Sequence, residues 1–262
     1  MFKKLGLQLY TVGKCIQDPD YADLTFKKLA ELGYTEAHHA GAYGMSPETF
    51  IEKLNKYGIS LVGTHYRYDW ILERFDETVE LHKLWKTTNI GIGAMPDEAR
   101  ANPDSLKKFI YDFNKAAEAY AKEGFKLTYH NHHFEFLRID GTKTIMDYLY
   151  EGLDPATTSF VLDTCWVHAG CANLYDWMEK LAGRIDILHC KDVMLKYEGG
   201  HLFGTMTEVG NGLIGWKRVI ELAEKIGVKH YVVEQDDNFI NGKPLESLKV
   251  SADYLNQFMV KE

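Results

Sequence analysis

Leu127-Thr128-Tyr129-His130-Asn131-His132-His133-Phe134-Glu135-Phe136 begins as a short apolar run and gives out into three histidines and a glutamate. The first half has the alternation and residue types of a buried strand. The abrupt arrival of ligand-capable side chains marks its end. The same grammar recurs downstream, where Asp163, His189 and Glu234 each close an apolar run. Strand ends that converge in this way belong at one mouth of a barrel, where they can share a metal site.

Working outward, strand-like and helix-like segments alternate along the chain. Leu5 to Tyr10 is a first strand with Gln8 inside it. Leu24, Phe26, Leu29, Ala30 and Leu32 then follow helical spacing up to Gly33. Tyr34 to His39 and Ile59 to His65 are strands two and three. The helix between them opens at Ser46-Pro47-Glu48 and runs to Gly58. A helix over about Trp70 to Trp85 leads to a weak fourth strand, Asn89 to Ile92, interrupted at Gly91 and Gly93. Asn102-Pro103-Asp104 caps a long helix through Lys122, and the opening stretch is strand five. Helix Thr142 to Leu149, strand Ser159 to Asp163 and helix Asn173 to Leu181 come next. Strand Ile185 to Lys191 precedes a glycine-bearing loop from Gly199 to Gly212. Helix Trp216 to Ile226, strand His230 to Glu234 and helix Ser247 to Phe258 complete the chain.

Eight such units in 262 residues predict a parallel, closed (β/α)8 barrel as a single domain over 1–262. The alternative, an open doubly wound sheet, would carry a glycine fingerprint after strand one, and Thr11-Val12-Gly13-Lys14 has none. No phosphate-binding P-loop is present.

The composition is that of a globular protein, 45% hydrophobic and 26% charged. A net charge of −8 argues against a nucleic-acid partner. Cys15, Cys165, Cys171 and Cys190 form no CxxC pair and read as free thiols of a reducing compartment, so a cytoplasmic location is expected. The basic N-terminus lacks a signal-peptide apolar core, and no apolar run is long enough to span a membrane. Tyr111, Phe113 and Tyr120 place aromatics on a helix that could serve homo-oligomerisation or pack on the barrel.

The strand ends supply Gln8 and Tyr10, His38 or His39, His65, His130/His132/Glu135, Asp163, His189/Lys191 and Glu234/Asp236. Of the 11 histidines, all but His82, His201 and His230 lie at or just past these ends. Alternation turns His130 and His132 inward with Thr128, and Asp163, His189 and Glu234 inward with the residues two before them. A pocket of carboxylates and imidazoles suits a borderline ion such as Mn2+, Co2+ or Zn2+. Each member also has an ordinary reading: Asp163 as a helix cap, His189 as a core histidine, Glu234 as a partner of Lys191. Taken together, those readings would crowd unpaired charge into one mouth.

Gly6-Leu7-Gln8-Leu9-Tyr10, the stretch Tyr129–Phe136, Leu162-Asp163-Thr164, His189-Cys190-Lys191-Asp192 and Glu234-Gln235-Asp236, in this order, resemble the xylose isomerase-like TIM barrels, in particular their sugar phosphate isomerase/epimerase branch. The resemblance implies one divalent ion held by Asp163, His189, Glu234 and a fourth group from strand five. That fourth group is Glu135 by preference, or His132 or His130. It further implies a sugar isomerase or epimerase working through a cis-enediolate. Glu234, Glu135 and His132 would move protons, while His65, Lys191 and His130 would hold substrate oxygens. The alternative is a dehydratase or lyase of an inosose or a 3-keto-glycoside. An endonuclease IV-like DNA repair activity and a sugar-binding protein without turnover rank lower.

Overall fold

The structure, a computed structural model, describes residues 2–41 and 44–260. The barrel strands are β1 (Leu5–Gln8), β2 (Tyr34–Ala40), β3 (Ser60–Tyr66), β4 (Asn89–Ile92), β5 (Lys126–His130), β6 (Thr158–Asp163), β7 (Ile185–Cys190) and β10 (His230–Val233). All pair in parallel, and β1 bonds both β2 and β10, so the sheet closes on itself. The main helices around it are α1 (Pro19–Glu31), α2 (Pro47–Lys56), α3 (Tyr68–Glu73), α4 (Phe75–Trp85), α5 (Pro103–Lys122), α6 (Ile145–Gly152), α7 (Thr164–Ala169), α8 (Leu174–Lys180), α9 (Trp216–Ile226) and α10 (Pro244–Leu255). The expected (β/α)8 barrel is therefore the observed fold.

Alternation along each strand splits the apolar residues into two bodies. Tyr129, Phe160, Leu188 and Val233 join Phe109, Phe113, Leu149 and Leu248 in the large core under the helices. Val62, Val161, Ile187 and Val232 form a separate small cluster that plugs the barrel. Two residues beyond three of these plug members stand Asp163, His189 and Glu234. The period of two that buries the plug thus fixes the direction of the polar groups above it.

The structure departs from the sequence expectations in several places. Strand one ends at Gln8, and a 3-10 segment, Leu9–Cys15, carries Tyr10 outward to 59% exposure. The expected helix over Trp70 to Trp85 is broken at Arg74, whose φ of −124° and ψ of 47° are not helical. Its guanidinium packs over the Trp70 ring at 4.2 Å. An additional helix, α7, begins directly at the end of β6 and takes in His168. Helix α6 starts at Ile145, later than expected, because Thr144 and Asp147 form a reciprocal capping box. Of the helix aromatics, Phe113 and Tyr120 are buried against the barrel and only Tyr111 is exposed.

The largest departure is the glycine-bearing loop. It contains an antiparallel hairpin of β8 (Asp192–Glu198) and β9 (His201–Thr207). Gly199 and Gly200 have φ of 59° and 84°, the left-handed pair that a two-residue hairpin turn requires. Asp192 roots this arm. Its buried carboxylate accepts hydrogen bonds from the amides of Val193, Gly210, Gly212 and Ile214 at 2.8–3.2 Å and from Trp216 Nε1 at 2.7 Å. A Cβ at Gly212 would lie 2.1 Å from that carboxylate, so the loop can close only over glycine. Replacing Asp192 by alanine strands several buried donors and should cost about 3 kcal/mol or more. Urea unfolding of Asp192→Ala at wild-type stability would refute this anchoring role.

Candidate metal centre

His130, Asp163, His189 and Glu234 each offer one buried ligand atom, all within 4.8 Å of one another. His130 Nε2 lies 3.6 Å and His189 Nδ1 3.8 Å from Asp163 Oδ2, and His189 Nδ1 is 2.9 Å from Glu234 Oε2. That last approach is close but lacks hydrogen-bond geometry, and all four atoms have no hydrogen-bond partner. Burying four such atoms unsatisfied is costly, and a divalent cation among them removes the cost. Two carboxylates and two imidazoles are a donor set that fits one.

The second polar atom of three of these groups is occupied, which aims the free one. Asp163 Oδ1 accepts from the Trp166 amide at 2.9 Å and caps α7, while Oδ2 faces the cluster. Capping and ligation, alternatives in the sequence, are compatible because they use different oxygens. The Asp163 amide donates to Asn131 Oδ1 at 2.9 Å. His130 Nδ1 lies 2.9 Å from the Gly93 carbonyl, which can only accept, so its Nε2 carries the lone pair toward the cluster. His189 Nε2 meets His38 Nδ1 at 2.9 Å, and Gln8 Nε2 approaches the same His38 nitrogen at 3.3 Å. Gln8 and His38 thereby orient His189.

Charge explains the rest. Lys191 is buried, with Nζ 2.6 Å from Asp236, 3.4 Å from Glu234 and 3.7 Å from Asp163. Burial alone would raise the Asp163 carboxyl, but Lys191, His130 and His189 outweigh it and hold it near 2. Glu234 is likewise held well below the usual range despite burial, by Lys191 and His189. Burial would discharge His189, yet Glu234 and Asp163 draw it up to about 9. Asp236 goes the other way, raised to about 6 by burial and by Glu234. Three carboxylates thus face one ammonium, a field that favours a further cation.

His38, His65 and His189 form a second close group. Burial pushes His38 and His65 well below the ordinary imidazole value, so both are neutral. The ring of His65 fits because strand four has no side chain opposite it. A Cβ at Gly91 would come within 2.9 Å of His65 Cδ2 and 2.5 Å of the Thr64 carbonyl. His132 sits beside His130 at a ring distance of 4.8 Å, and burial lowers it to about 3.

Glu135, the expected strand-five ligand, is not among the four clustered groups. Its carboxylate accepts from Tyr129 Oη at 2.6 Å and from the His132 amide at 2.8 Å. Tyr129 belongs to the core outside the barrel, so Glu135 is drawn behind the strand, away from the cluster. Burial raises it to about 7. The strand-five position in the cluster is taken by His130. Asn131, Gly91 and Asp192 were not assigned roles from sequence. Gly91 did leave a signal, as the glycine that weakened strand four.

The fold and the site together define a closed parallel barrel that carries a mixed carboxylate–imidazole cluster at its mouth. The chain belongs to the xylose isomerase-like TIM barrel family, whose model matches residues 26–258. It is similar to the inosose dehydratase of Bacillus licheniformis, 28% identical over 171 residues covering 60% of this chain and 55% of that protein. That match spans little more than half of the relative's length. The inosose dehydratase of Geobacillus kaustophilus is 22% identical over 90% of this chain and 87% of that protein. A solved sugar phosphate isomerase/epimerase from Parabacteroides distasonis superposes with a TM-score of 0.82 at 24% identity, covering 97% of this chain and 94% of the other, which shows the shared fold.

Titration calorimetry with Mn2+ separates the two strand-five candidates. His130→Ala should weaken binding about 100-fold, and Glu135→Gln should change it less than about three-fold. The opposite ranking would return Glu135 to the ligand set.

Proposed function

We propose that this protein is a divalent-metal-dependent lyase that eliminates a group β to the ketone of a sugar- or cyclitol-derived substrate. The observation that carries this reading is the set of four unsatisfied ligand atoms of His130, Asp163, His189 and Glu234 beside a buried ammonium and neutral imidazoles. Mn2+, Co2+ and Zn2+ match those donors. A cation held there would supply Lewis-acid polarisation of the substrate ketone, acidifying the neighbouring C–H.

The chain's own groups divide the remaining work. The His132 Nδ1 is buried without a partner and its ring sits 4.8 Å from that of His130, which places it to take the α-proton. Lys191 is held firmly protonated, because Glu234, Asp163 and Asp236 outweigh its burial. Its ammonium can donate to the oxygen on which negative charge develops. Trp166 lies against both, its ring 5.3 Å from that of His132 and 4.9 Å from Lys191 Nζ. An acid and a base of different kinds suit elimination, and the activity named for the two curated relatives is a dehydration.

A second reading, isomerisation or epimerisation, is favoured by a different observation. His65 Nε2 is a second buried nitrogen without a partner, and its ring lies 4.9 Å from His130 on the strand-three side. Two neutral imidazoles flanking one site could remove a proton and return it elsewhere.

Proton NMR of Mn2+-loaded protein with an inosose or a 3-keto-glucoside in D2O distinguishes these outcomes. Elimination gives an unsaturated ketone, whereas isomerisation places deuterium on carbon in a saturated product. Neither change, across both substrates, would sink the proposal. His132→Gln should lower kcat by about 100-fold or more while retaining metal. Undiminished turnover would remove His132 from the proton-transfer role.

A further inference from the structure

Strand β5 ends at His130, so the period of two that turns side chains inward stops before His132. Side chains hold the His132 backbone instead. Its amide donates to Glu135 Oε2 at 2.8 Å, and its carbonyl accepts from Asn131 Nδ2 at 3.5 Å. Asn131 is itself fixed by the Asp163 amide. The His132 ring meets three others. It stacks on Phe134 at 5.4 Å with planes within 7°, lies 5.3 Å from Trp166, and stands edge-on to His130 at 4.8 Å. The Arg100 guanidinium packs over the Phe134 ring at 4.0 Å.

Glu135 is a costly residue in this place. It is fully buried, and its oxygens are engaged by neutral donors, Tyr129 Oη at 2.6 Å and the His132 amide. An apolar side chain would fill the same space without taking a carboxyl group out of water. What it could not do is tie the peptide of His132 to β5. Tyr129 is the anchor at the far end, its ring edge-on to Phe109, Phe113 and Phe160 in the core outside the barrel. The tie runs from that packed core, through one carboxyl group, to the backbone of His132, whose Nδ1 is buried and unpartnered at the mouth.

We propose that Glu135 is a positioning residue for His132: it directs the imidazole by holding the peptide that carries it, and it exchanges no proton with substrate. The inference rests on the elimination reading, in which His132 takes the α-proton. Proton transfer needs the accepting nitrogen within reach of the C–H, and a misplacement of about 1 Å costs on the order of 100-fold in rate. If Glu135 works by its contacts, glutamine can replace it. The glutamine oxygen accepts from the His132 amide, and its NH2 donates to Tyr129 Oη, which can accept as well as donate. Leucine keeps the volume and loses both contacts.

The test uses the full Mn2+-loaded chain with whichever of the inosose and the 3-keto-glucoside it turns over. Glu135→Leu should lower kcat about 100-fold, with KM and Mn2+ affinity changed less than about three-fold. Glu135→Gln should keep kcat within about three-fold of wild type. Glu135→Met serves in place of Glu135→Leu should that variant not fold. A readout without substrate is the ring-proton NMR spectrum of the Zn2+-loaded chain with labelled histidine. The His132 resonances, identified by their loss in His132→Gln, should lie upfield under the ring currents of Phe134 and Trp166. They should stay there in Glu135→Gln and move toward the ordinary histidine range in Glu135→Leu. Equal losses of kcat in the glutamine and leucine variants would make the carboxyl group a proton carrier and overturn the proposal. Wild-type kcat in Glu135→Leu overturns it and leaves the elimination reading in place. Loss of Mn2+ from Glu135→Leu also overturns it, because the effect would then run through the cluster. No turnover by wild type counts against elimination, and the resonances then decide alone: moved in Glu135→Leu they support the tie, unmoved they overturn it.

Discussion

The constraint on which the site depends is the gathering of negative charge at a largely buried mouth. Asp163 at the end of β6 and Glu234 and Asp236 just past β10 flank the buried ammonium of Lys191, which follows β7 between them. Parallel strands make this unavoidable, because every strand ends at the same mouth. One lysine does not balance three carboxylates, and the field draws His189 up toward a charged state it would otherwise lose on burial. A buried imidazole pulled toward protonation where two carboxylates meet has the electrostatic character of a cation site. The surroundings answer this with orientation: Asn131, Gln8, His38 and the Gly93 carbonyl are all engaged with the cluster residues from behind.

Much of this was legible in the chain. The alternation of apolar strands and amphipathic helices gave the closed barrel, because burial on both faces of a strand leaves a strong pattern. Asp163, His189 and Glu234 were readable since each follows a plug residue by two positions, and a period of two leaves no freedom. The strand-five group was not readable in this way. His130 is on the strand and His132 and Glu135 lie beyond it, where alternation ceases to constrain direction. The short link from Glu135 to Tyr129, a residue on the opposite face of the strand, decided its placement. Such a contact depends on the path of a 3-10 turn, Phe134–Phe136, which no periodicity encodes.

The glycines were legible only as weaknesses. Gly91 interrupts strand four, and by sequence it lowers the strand's standing. In space it makes room for His65 in the second histidine group. Gly199-Gly200 reads from sequence as part of a glycine-bearing loop, although that dipeptide is also the turn of a hairpin. In both cases the missing side chain is the structural content, and a propensity scale counts it only as a loss.

The hairpin has a consequence for how the protein can change. Its two strands leave the barrel immediately after Lys191 and return before α9, and Leu195, Tyr197 and Leu202 on it are exposed. Asp192 ties the departing and returning backbone together through the amides of Val193, Gly210, Gly212 and Ile214. The knot isolates the strand end from whatever lies beyond it. The arm can therefore be lengthened, trimmed or exchanged over generations without disturbing His189 or Lys191, leaving an evolvable appendage one residue away from chemistry that must stay fixed.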